Sequence, residues 1–443
     1  MNKLPIGIED FKKIIEEHYF YIDKTSLISR ILINGAEVTL FTRPRRFGKT
    51  LNMSMLYHFF DIKNGDANKP LFKNLDIEKS EYYYEQGQNP VIFISMKDVK
   101  KGTLEECKNE VYKIILNHLN KISFIYDSLS GINKKIFDDL SDNRDSIFLD
   151  TSLKYLSQFL YEYYEKKVIL LIDEYDAPIL SAYDENYYND AIKFFKSLYS
   201  SALKTNEYLK FGVMTGITRV AKEEIFSDLN NLDVDTILDK FYNDYFGLTE
   251  KEVINALKEY DLQKNIESVK EWYNGYRFGN AEVYNPWSII KYLKNKELES
   301  YWVNTSGNIL INKLLNISNN EILKTLLELF SGKNIKKHIE KDMSFDNIME
   351  QNKLWTLLLY SGYLTVYGEP LGDGYYLLKI PNKEIYSYFK TLFIDKFIGL
   401  DSPLLQDLSI NLKLKKIKGE NSFESTLKKI FLSKISYYDV EKK

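Results

Sequence analysis

The feature that most constrains how this chain folds is an apolar run followed by a short basic loop and a helical segment. Residues Val38–Thr42 are β-branched or apolar and predict a buried strand, while Leu51–Phe60 has helical periodicity. The loop between them reads Arg-Pro-Arg-Arg-Phe-Gly-Lys-Thr, from Arg43 to Thr50. Backbone N–H groups at the start of a helix point outward and carry partial positive charge, which favours a bound phosphate. The sequence therefore predicts a phosphate-binding loop (P-loop).

Three residues at the end of this loop have predicted roles in binding a nucleoside triphosphate together with magnesium. Lys49 would reach the β- and γ-phosphates, and the hydroxyl of Thr50 would be a ligand of Mg²⁺. Gly48 has no Cβ, so the backbone can approach the phosphates closely at that point. The alternative interpretation is a charged loop in front of an ordinary helix.

The first half of the loop departs from the usual P-loop pattern. Arg43 stands where the first glycine belongs, and Pro44 fixes one φ angle, so the loop must turn differently. Arginine is scarce in this chain, with seven residues among 60 lysines and arginines, yet three of the seven lie here. Because the planar guanidinium is suited to binding phosphate, we expect Arg43 and either Arg45 or Arg46, or both, to belong to the nucleotide site.

Two acidic residues follow a second apolar run, Val168–Ile172. At the carboxyl end of a central strand, Asp173 would hold Mg²⁺ beside the phosphate loop. Glu174 would face the γ-phosphate and polarise the attacking water as a general base. The alternative is a strand that simply meets solvent at Asp173.

A third apolar run, Leu209–Thr215, leads into a polar turn. In sheets of this kind, a strand between the P-loop strand and the acidic strand ends in a polar residue near the γ-phosphate. Thr215 or Thr218 would suit that position, and Arg219 would stabilise the charge that develops in the transition state. A polar turn after a buried strand explains each of these residues equally well.

The motifs lie on alternating strands and helices, which predicts an α/β fold of the P-loop NTPase type, with a parallel sheet flanked by helices; the resemblance described below implies the AAA-like form of that fold. We assign residues 1–240 to this domain. One further strand is predicted, and the helices predicted around it complete the alternation: Val91–Met96 as the strand, and Phe11–Glu17, Ser26–Ile33, Leu104–Leu119, Leu153–Tyr164 and Tyr188–Leu203 as helices.

After residue 240 the pattern is mostly helical, and no strand is predicted between these helices. We assign 241–335 to a helical lid and 336–443 to a winged-helix-like and helical region. Tyr363–Tyr367 and Tyr375–Ile380 alternate around a glycine-rich turn and predict a β-hairpin. The predicted helices are Thr249–Tyr260, Ile266–Tyr273, Pro286–Leu293, Asn308–Leu315, Asn320–Phe330 and Leu354–Tyr360.

Two fainter signals lie in this C-terminal half. Arg277 stands in an aromatic, glycine-broken turn, where it would reach the nucleotide from the lid or stack on its aromatic neighbours. A lysine-rich tail, together with the hairpin, indicates a contact with DNA, although a solvated helix face explains the same lysines. They are Lys413, Lys415, Lys416 and Lys418.

Composition limits the classes of function. The net charge of −3 gives no overall attraction to nucleic acid, so a DNA-binding surface must be a local patch. The single cysteine, Cys107, excludes an intrachain disulfide, and the scattered histidines do not form a zinc site. No apolar run reaches the roughly 18 residues that span a bilayer. We therefore expect a cytoplasmic protein with no membrane partner.

The motifs together resemble those of the bacterial and archaeal AAA-ATPase-like proteins. The resemblance implies ATP and Mg²⁺ as the cofactors, although no base-reading motif distinguishes ATP from GTP. In this family, arginine in place of the first P-loop glycine is usual. The residues that carry the likeness are Leu4–Gly7, Tyr21–Thr25, Arg43–Thr50, Leu171–Asp176, Gly216–Arg219, Tyr273–Tyr276, Asn285–Pro286 and Leu359–Leu364.

Members of this family commonly carry a C-terminal PD-(D/E)xK nuclease-like domain. In this sequence Ser436–Asp439 resembles the approach to that domain, and Lys443 follows soon after. No strand with Asp followed by a strand with Glu-x-Lys remains, so we expect the nuclease domain to be truncated or absent and predict no nuclease activity.

Three hypotheses follow from the sequence. The first is an ATPase that couples nucleotide binding or hydrolysis to movement of a C-terminal effector region. The second is a nucleotide-gated module that binds DNA or protein with little or no hydrolysis. The third is a fold in which the P-loop survives only as structure.

Overall fold

In a computed structural model of the chain, residues 2–220, 230–302, 320–341 and 351–389 are described. Several predicted features lie outside the described residues: the helix Asn308–Leu315, the tail lysines Lys413, Lys415, Lys416 and Lys418, and the segment Ser436–Asp439.

The N-terminal half is built on a five-stranded parallel sheet in the order β2-β3-β4-β1-β5. The four strands predicted from the sequence are confirmed. A fifth strand, β5, was not predicted. It lies at the sheet edge, and two of its four residues are aspartates, so it gives no apolar run. The strands are β1 Val38–Thr42, β2 Val91–Ser95, β3 Val168–Asp173, β4 Leu209–Gly216 and β5 Leu232–Asp235.

Helices cover both faces of this sheet. Helix α3 packs against β2 and β3, whereas α7 packs against β3 and α9 against β4. From β1 the chain crosses to β2 at one edge of the sheet, and it then returns strand by strand through β3 and β4. Right-handed crossovers therefore place α3 on one face and α7 and α9 on the other. The helices are α1 Phe11–Glu16, α2 Ser26–Asn34, α3 Lys49–Phe60, α4 Gly65–Asn68, α5 Leu104–Lys121, α6 Gly131–Asp142, α7 Ser152–Tyr164, α8 Ala177–Asp184 and α9 Tyr188–Leu203.

The centre of the sheet is completely buried, which fixes the ends of the strands relative to one another. Every residue of β1 and β3 is buried. On β4, Gly212 allows α9 to approach closely, because a Cβ there would lie 2.7 Å from Cδ2 of Leu203. Buried parallel strands of this kind read as continuous apolar runs, and so the sequence predicted them well.

The region after residue 240 is mostly helical, as predicted, and also contains short strands. The expectation of no strand between these helices was wrong: β6 and β7 form an antiparallel pair of three residues each, too short to show a period. The predicted hairpin is confirmed as β9 and β10, and β8 extends it into a sheet of order β8-β10-β9. The elements are α10 Glu250–Glu259, α11 Ile266–Tyr273, β6 Tyr276–Phe278, β7 Ala281–Val283, α12 Pro286–Asn295, α13 Asn320–Phe330, β8 Ile335–His338, α14 Gln351–Tyr360, β9 Thr365–Gly372 and β10 Tyr375–Lys379.

In the described part of the chain, no helix combines the length and the apolar character that crossing a bilayer requires. The domain boundaries near residues 240 and 335 stay a prediction.

The end of β4 generates a test of the packing. A Cβ on Gly216 would lie 2.6 Å from the ring of Tyr175. That ring cannot easily move, because its hydroxyl donates to Thr218 O at 2.8 Å and accepts from Val220 N at 3.0 Å. We expect Gly216→Ala to lower the free energy of unfolding by about 1–3 kcal/mol, measured by urea denaturation.

Gly131→Ala is the matched control, since a Cβ at Gly131 meets no heavy atom within 4 Å. Its effect should lie between neutral and a gain of about 1 kcal/mol, because alanine restricts the unfolded chain. If the two variants were equally stable, the close packing of the Tyr175 ring against Gly216 would be contradicted.

Candidate functional site

The loop after β1 ends at an open helix N-terminus. Gly48 is the N-cap of α3 and adopts the left-handed conformation, with φ 86°. Among the described residues, no side chain caps this end of the helix, and a Cβ on Gly48 would meet nothing within 4 Å. The first N–H groups of α3 therefore face open space. Phe47, just before, is completely buried against β6, which anchors the loop.

Lys49 lies across this loop. Its Nζ donates to the backbone oxygens of Arg43 at 2.8 Å and Pro44 at 2.9 Å. Burial lowers the pKa of Lys49, while the carboxylates of Glu174 and Asp173 act in the opposite direction. The ammonium group thus lies close to both acids at the end of β3, and its hydrogen bonds hold the loop closed in a ring.

Asp173 accepts hydrogen bonds from two hydroxyl groups. Thr50 Oγ1 donates to Asp173 Oδ2 at 2.8 Å, and Thr215 Oγ1 donates to Asp173 Oδ1. Burial raises the pKa of Asp173, and these two donors partly offset the shift. The hydroxyl and carboxylate oxygens of Thr50 and Asp173 thus lie in contact, at the start of α3 and the end of β3.

Glu174 has a strained backbone. Its φ of 52° is in the left-handed region, which is uncommon for a residue other than glycine. The backbone N–H donates to Thr215 Oγ1 at 3.4 Å, and the carboxylate lies 3.6 Å from Nζ of Lys100. Strain of this kind persists only where the surrounding structure enforces it, and it clusters at functional sites.

Arg43 is completely buried and faces away from the helix N-terminus. Its guanidinium forms an ion pair with Asp235 on β5 and donates to the backbone oxygens of Thr42, Asp235 and Tyr242. Phe246 lies against it, with its ring centroid 4.9 Å from Cζ. This placement differs from the expected contact with phosphate, because the guanidinium is bound to Asp235 on β5 and to the backbone oxygens of Thr42 and Tyr242.

Arg45 and Arg46 are directed toward the helical region, and both line the cavity described below. The Arg46 guanidinium lies 4.0 Å above the ring of Trp287 on α12. The backbone oxygen of Arg45 accepts from Nε1 of Trp302 at 3.0 Å. The two residues therefore connect the phosphate loop to the segment after β7.

Thr218 is bound to a neighbouring acid. Oδ2 of Asp176 accepts from Ile217 N and Thr218 N, both at 2.9 Å, and from Thr218 Oγ1 at 3.1 Å. Asp176 thus fixes the turn that carries Arg219. Of the two threonines considered for the polar position, Thr215 touches Asp173 and Thr218 does not reach it.

Arg277 lies on β6 and is bound to the hairpin. Its guanidinium donates to Gly279 O at 3.0 Å and Gly368 O at 2.6 Å, and it pairs with Glu369 on β9. It is not among the residues that line the cavity at the P-loop. The structure therefore joins Arg277 to β9 rather than to Lys49 and Asp173.

A cavity of about 510 Å³ opens beside the P-loop, within the usual range for small-ligand sites. Residues 48–52 of the loop and α3 line it together with Glu174 and Lys100. Three further segments contribute the charged Glu9 and Lys24 and a larger number of apolar side chains. The apolar residues include Pro5, Ile8, Phe20, Tyr21, Ile22, Leu248, Trp287 and Ile290.

These apolar walls, and the lysines after β2, were not predicted as site residues. The N-terminal pieces occur in the motifs that carry the family resemblance, but no local chemistry pointed to a binding role. Lys100 gave a usable signal, because it follows a buried strand beside β3, and parallel strands end at the same edge of a sheet. Trp287 gave none, since its contact with Arg46 joins residues far apart in sequence.

The parallel sheet and the loop that ends in Gly48, Lys49 and Thr50 are consistent with a P-loop NTPase. The family model of the AAA-ATPase-like proteins, described as a predicted AAA-ATPase, matches residues 5–226, and the chain belongs to this family. The resemblance drawn from the motifs is confirmed.

The chain is also similar to an uncharacterized protein encoded in the vnfD 5′ region of Azotobacter chroococcum mcd 1. The two sequences are 27% identical over 306 residues, which cover 69% of this chain and 54% of the relative. The chain thus spans about half the length of that curated relative.

The placement of Arg43 generates a prediction. Arg43→Met leaves the Asp235 carboxylate buried without its cation, and we expect the free energy of unfolding to fall by about 3–5 kcal/mol. The double variant Arg43→Met/Asp235→Leu should recover much of this loss, because neither charge is then buried. Urea denaturation measures both.

Lys193→Met is the control, because its ion pair with Asp190 is exposed and should contribute less than about 1 kcal/mol. A variant Arg43→Met of unchanged stability that binds nucleotide less tightly would contradict this role and favour a phosphate contact.

Proposed function

We propose that this chain binds ATP together with Mg²⁺ and hydrolyses it. The observation that carries the proposal is the contact between Thr50 and Asp173 at 2.8 Å, with Lys49 beside them at an open helix N-terminus. A helix N-terminus with a buried lysine favours an anion of high charge, such as a triphosphate. The choice of ATP follows the family, which is described as a predicted AAA-ATPase.

The oxygen atoms of Thr50 and Asp173 suit Mg²⁺, which is a hard cation that prefers hydroxyl, carboxylate, phosphate and water ligands. Thr215 orients the Asp173 carboxylate from the other side, and this leaves Oδ2 directed at Thr50. We propose that Thr50 and Asp173 hold the ion, Asp173 through water. When bound, Mg²⁺ would neutralise charge on the β- and γ-phosphates.

Glu174 is the proposed general base. It lies at the cavity, next to Asp173, and its backbone adopts the strained left-handed conformation. In hydrolysis the water oxygen bonds to the γ-phosphorus, the bond to the bridging oxygen breaks, and ADP and inorganic phosphate leave. Glu174 would orient the water and accept its proton, while Lys49 stabilises the phosphoryl oxygens. Thr215 would act by positioning Asp173 and Glu174.

The positive charges around the cavity have separate proposed roles. Arg45 and Arg46 line the cavity and would add positive charge to it. Arg219 stands in the turn fixed by Asp176 and would stabilise charge in the transition state. Arg43 and Arg277 would act by holding the loop and the hairpin, since their guanidinium groups are already bound elsewhere. The apolar side chains of the cavity lining would contact the adenine ring.

We further propose that nucleotide binding is coupled to the C-terminal region through the first half of the loop. Trp302 binds Arg45 O through its indole and Glu384 through its backbone N–H, at 3.0 and 2.7 Å. Glu384 also accepts from Tyr301 N and Ser288 Oγ. Burial raises the pKa of Glu384 to about 7. A shift of the loop would therefore displace Trp302. Through the Glu384 carboxylate, this displacement would reach α12 and the segment that carries Glu384.

The alternative is a nucleotide-gated module that binds DNA or protein with little or no hydrolysis. It requires the same cavity and the same coupling, so only turnover separates the two functions. Glu174 favours hydrolysis over binding alone, because binding does not need a carboxylate beside Asp173 that is held there at the cost of a strained backbone.

Binding and turnover can be separated with two variants. ATP with Mg²⁺ should raise the melting temperature of the wild-type protein, and a concentration 100 times Kd corresponds to about 2.7 kcal/mol of stabilisation. Lys49→Ala should lose this shift. Glu174→Gln should keep the shift and release phosphate at least about 100-fold more slowly, as expected for loss of a general base.

Lys193→Ala, at an exposed lysine that does not line the cavity, is the control for a change of charge. Phosphate release by Glu174→Gln at the wild-type rate would remove Glu174 from the mechanism. Binding without release in the wild type would favour the gated module, and the absence of any ATP shift would refute the nucleotide site. Repeating the melting and phosphate-release measurements with GTP tests the preference for adenine over guanine.

The coupling is tested by hydrogen exchange of the full chain with and without ATP and Mg²⁺. We expect ATP to change the exchange of residues 300–302 and 381–389 in the wild type. In Trp302→Phe, which lacks the indole donor, this response should weaken while the ATP-induced melting shift remains. Trp272→Phe, in which the tryptophan lies against Lys383, is the control. An unchanged response in Trp302→Phe would exclude this route.

A further inference from the structure

The three-stranded sheet β8-β10-β9 has one face that the ATPase mechanism does not use. Alternation along the paired strands puts Thr365 on this side of the sheet, opposite Lys379, where it is buried and accepts a hydrogen bond from Arg277 N. Six further side chains lie on the same side, and we name them the lysine–tyrosine face. In register, Tyr375 pairs with His338, and Leu377 pairs with Lys336 and with Tyr367. The face comprises Lys336, His338, Tyr367, Tyr375, Leu377 and Lys379.

The opposite face of the sheet is buried, and this fixes which side chains point outward. Ile335, Val366 and Leu378 are 3%, 7% and 0% exposed. Lys337, one position from Lys336, lies on that inner side with its Nζ 4.7 Å from the ring centroid of Trp355. A slip of one residue would exchange the two faces, so the burial of Ile335 and Leu378 specifies the register.

Two tyrosine rings are exposed on this face, each with a lysine beside it. Tyr367 is 48% and Tyr375 is 40% exposed. Nζ of Lys336 lies 4.8 Å from the ring centroid of Tyr375, and Nζ of Lys379 lies 5.4 Å from that of Tyr367. The face therefore offers two aromatic platforms separated by Leu377, with a positive charge at each.

The charge of this surface contrasts with that of the whole chain, which is −3. Lys333, just before β8, is also exposed and adds to the positive charge. Three acids flank this face along the chain: Glu369 is paired with Arg277, Asp373 lies in the turn, and Glu340 follows β8. Positive charge and aromatic rings thus occur together in a small area.

We propose that the lysine–tyrosine face binds single-stranded nucleic acid. Unpaired bases stack on aromatic side chains, and lysines follow the phosphate backbone, which is the combination found here. A duplex keeps its bases stacked inside and would leave the two rings without a partner. The complementary charge identifies a polyanion, and the exposed rings identify one with free bases. This surface is separate from the ATP site.

Fluorescence anisotropy of the full chain with a labelled oligothymidine of about 16 nucleotides tests the proposal. We expect the wild type to bind it more tightly than a duplex of equal length, with affinity that falls as salt rises. Tyr367→Ala/Tyr375→Ala should weaken binding at least about tenfold, because each stacked base contributes substantially. Lys336→Ala/Lys379→Ala should reduce the salt slope by about 1.4, since each phosphate contact contributes about 0.7.

Tyr367→Phe/Tyr375→Phe keeps the rings and should bind like the wild type. Lys113→Ala/Lys193→Ala removes two exposed lysines of the ATPase domain and should leave the salt slope unchanged. An unchanged melting shift with ATP shows that each variant is folded, and it keeps this test separate from that of the ATP site. No binding, equal or tighter binding of duplex, or binding that is insensitive to the face variants would overturn the proposal.

Discussion

The parallel arrangement of the five strands determines where the P-loop and the acidic residues after β3 lie. Because β1, β4 and β3 are neighbouring parallel strands, their carboxyl ends lie at the same edge of the sheet. Helix α3 begins at that edge with an uncapped N-terminus, and Thr50 and Asp173 meet there at 2.8 Å. The parallel direction of β1 and β3, with one strand between them, thus allows the two residues to form a hydrogen bond.

The first half of the phosphate loop is held from two sides. On the sheet side, the Arg43–Asp235 ion pair is buried, and a buried charge is tolerated only with a partner and further hydrogen bonds. On the helical side, Trp287 and Trp302 contact Arg46 and Arg45. A glycine at position 43 could make neither the ion pair nor the hydrogen bonds to the backbone. Arg43 therefore anchors the loop to β5, where a glycine would leave it flexible.

The sequence predicted the central strands and the loop because their signals are local. An apolar run at β3 followed by Asp173 can be recognised without any knowledge of tertiary contacts. By contrast, β5, β6 and β7 have three or four residues and show no clear period. The side chain of Arg43 was expected at the phosphate, yet its acceptors on β5 and at Tyr242 are almost two hundred residues away in sequence. No pattern within the loop could have indicated them.

Lys49 has a consequence for how a ligand enters. Two of the three N–H donors of its ammonium group are bound by Arg43 O and Pro44 O, so the side chain closes a ring with the first half of the loop. Under the proposed function, a phosphate group would use the third donor and compete with the two backbone oxygens for the others. The net gain in free energy would then be the difference between the two sets of bonds, which favours a multiply charged ligand. The same two backbone bonds would hold the loop in shape after the ligand departs.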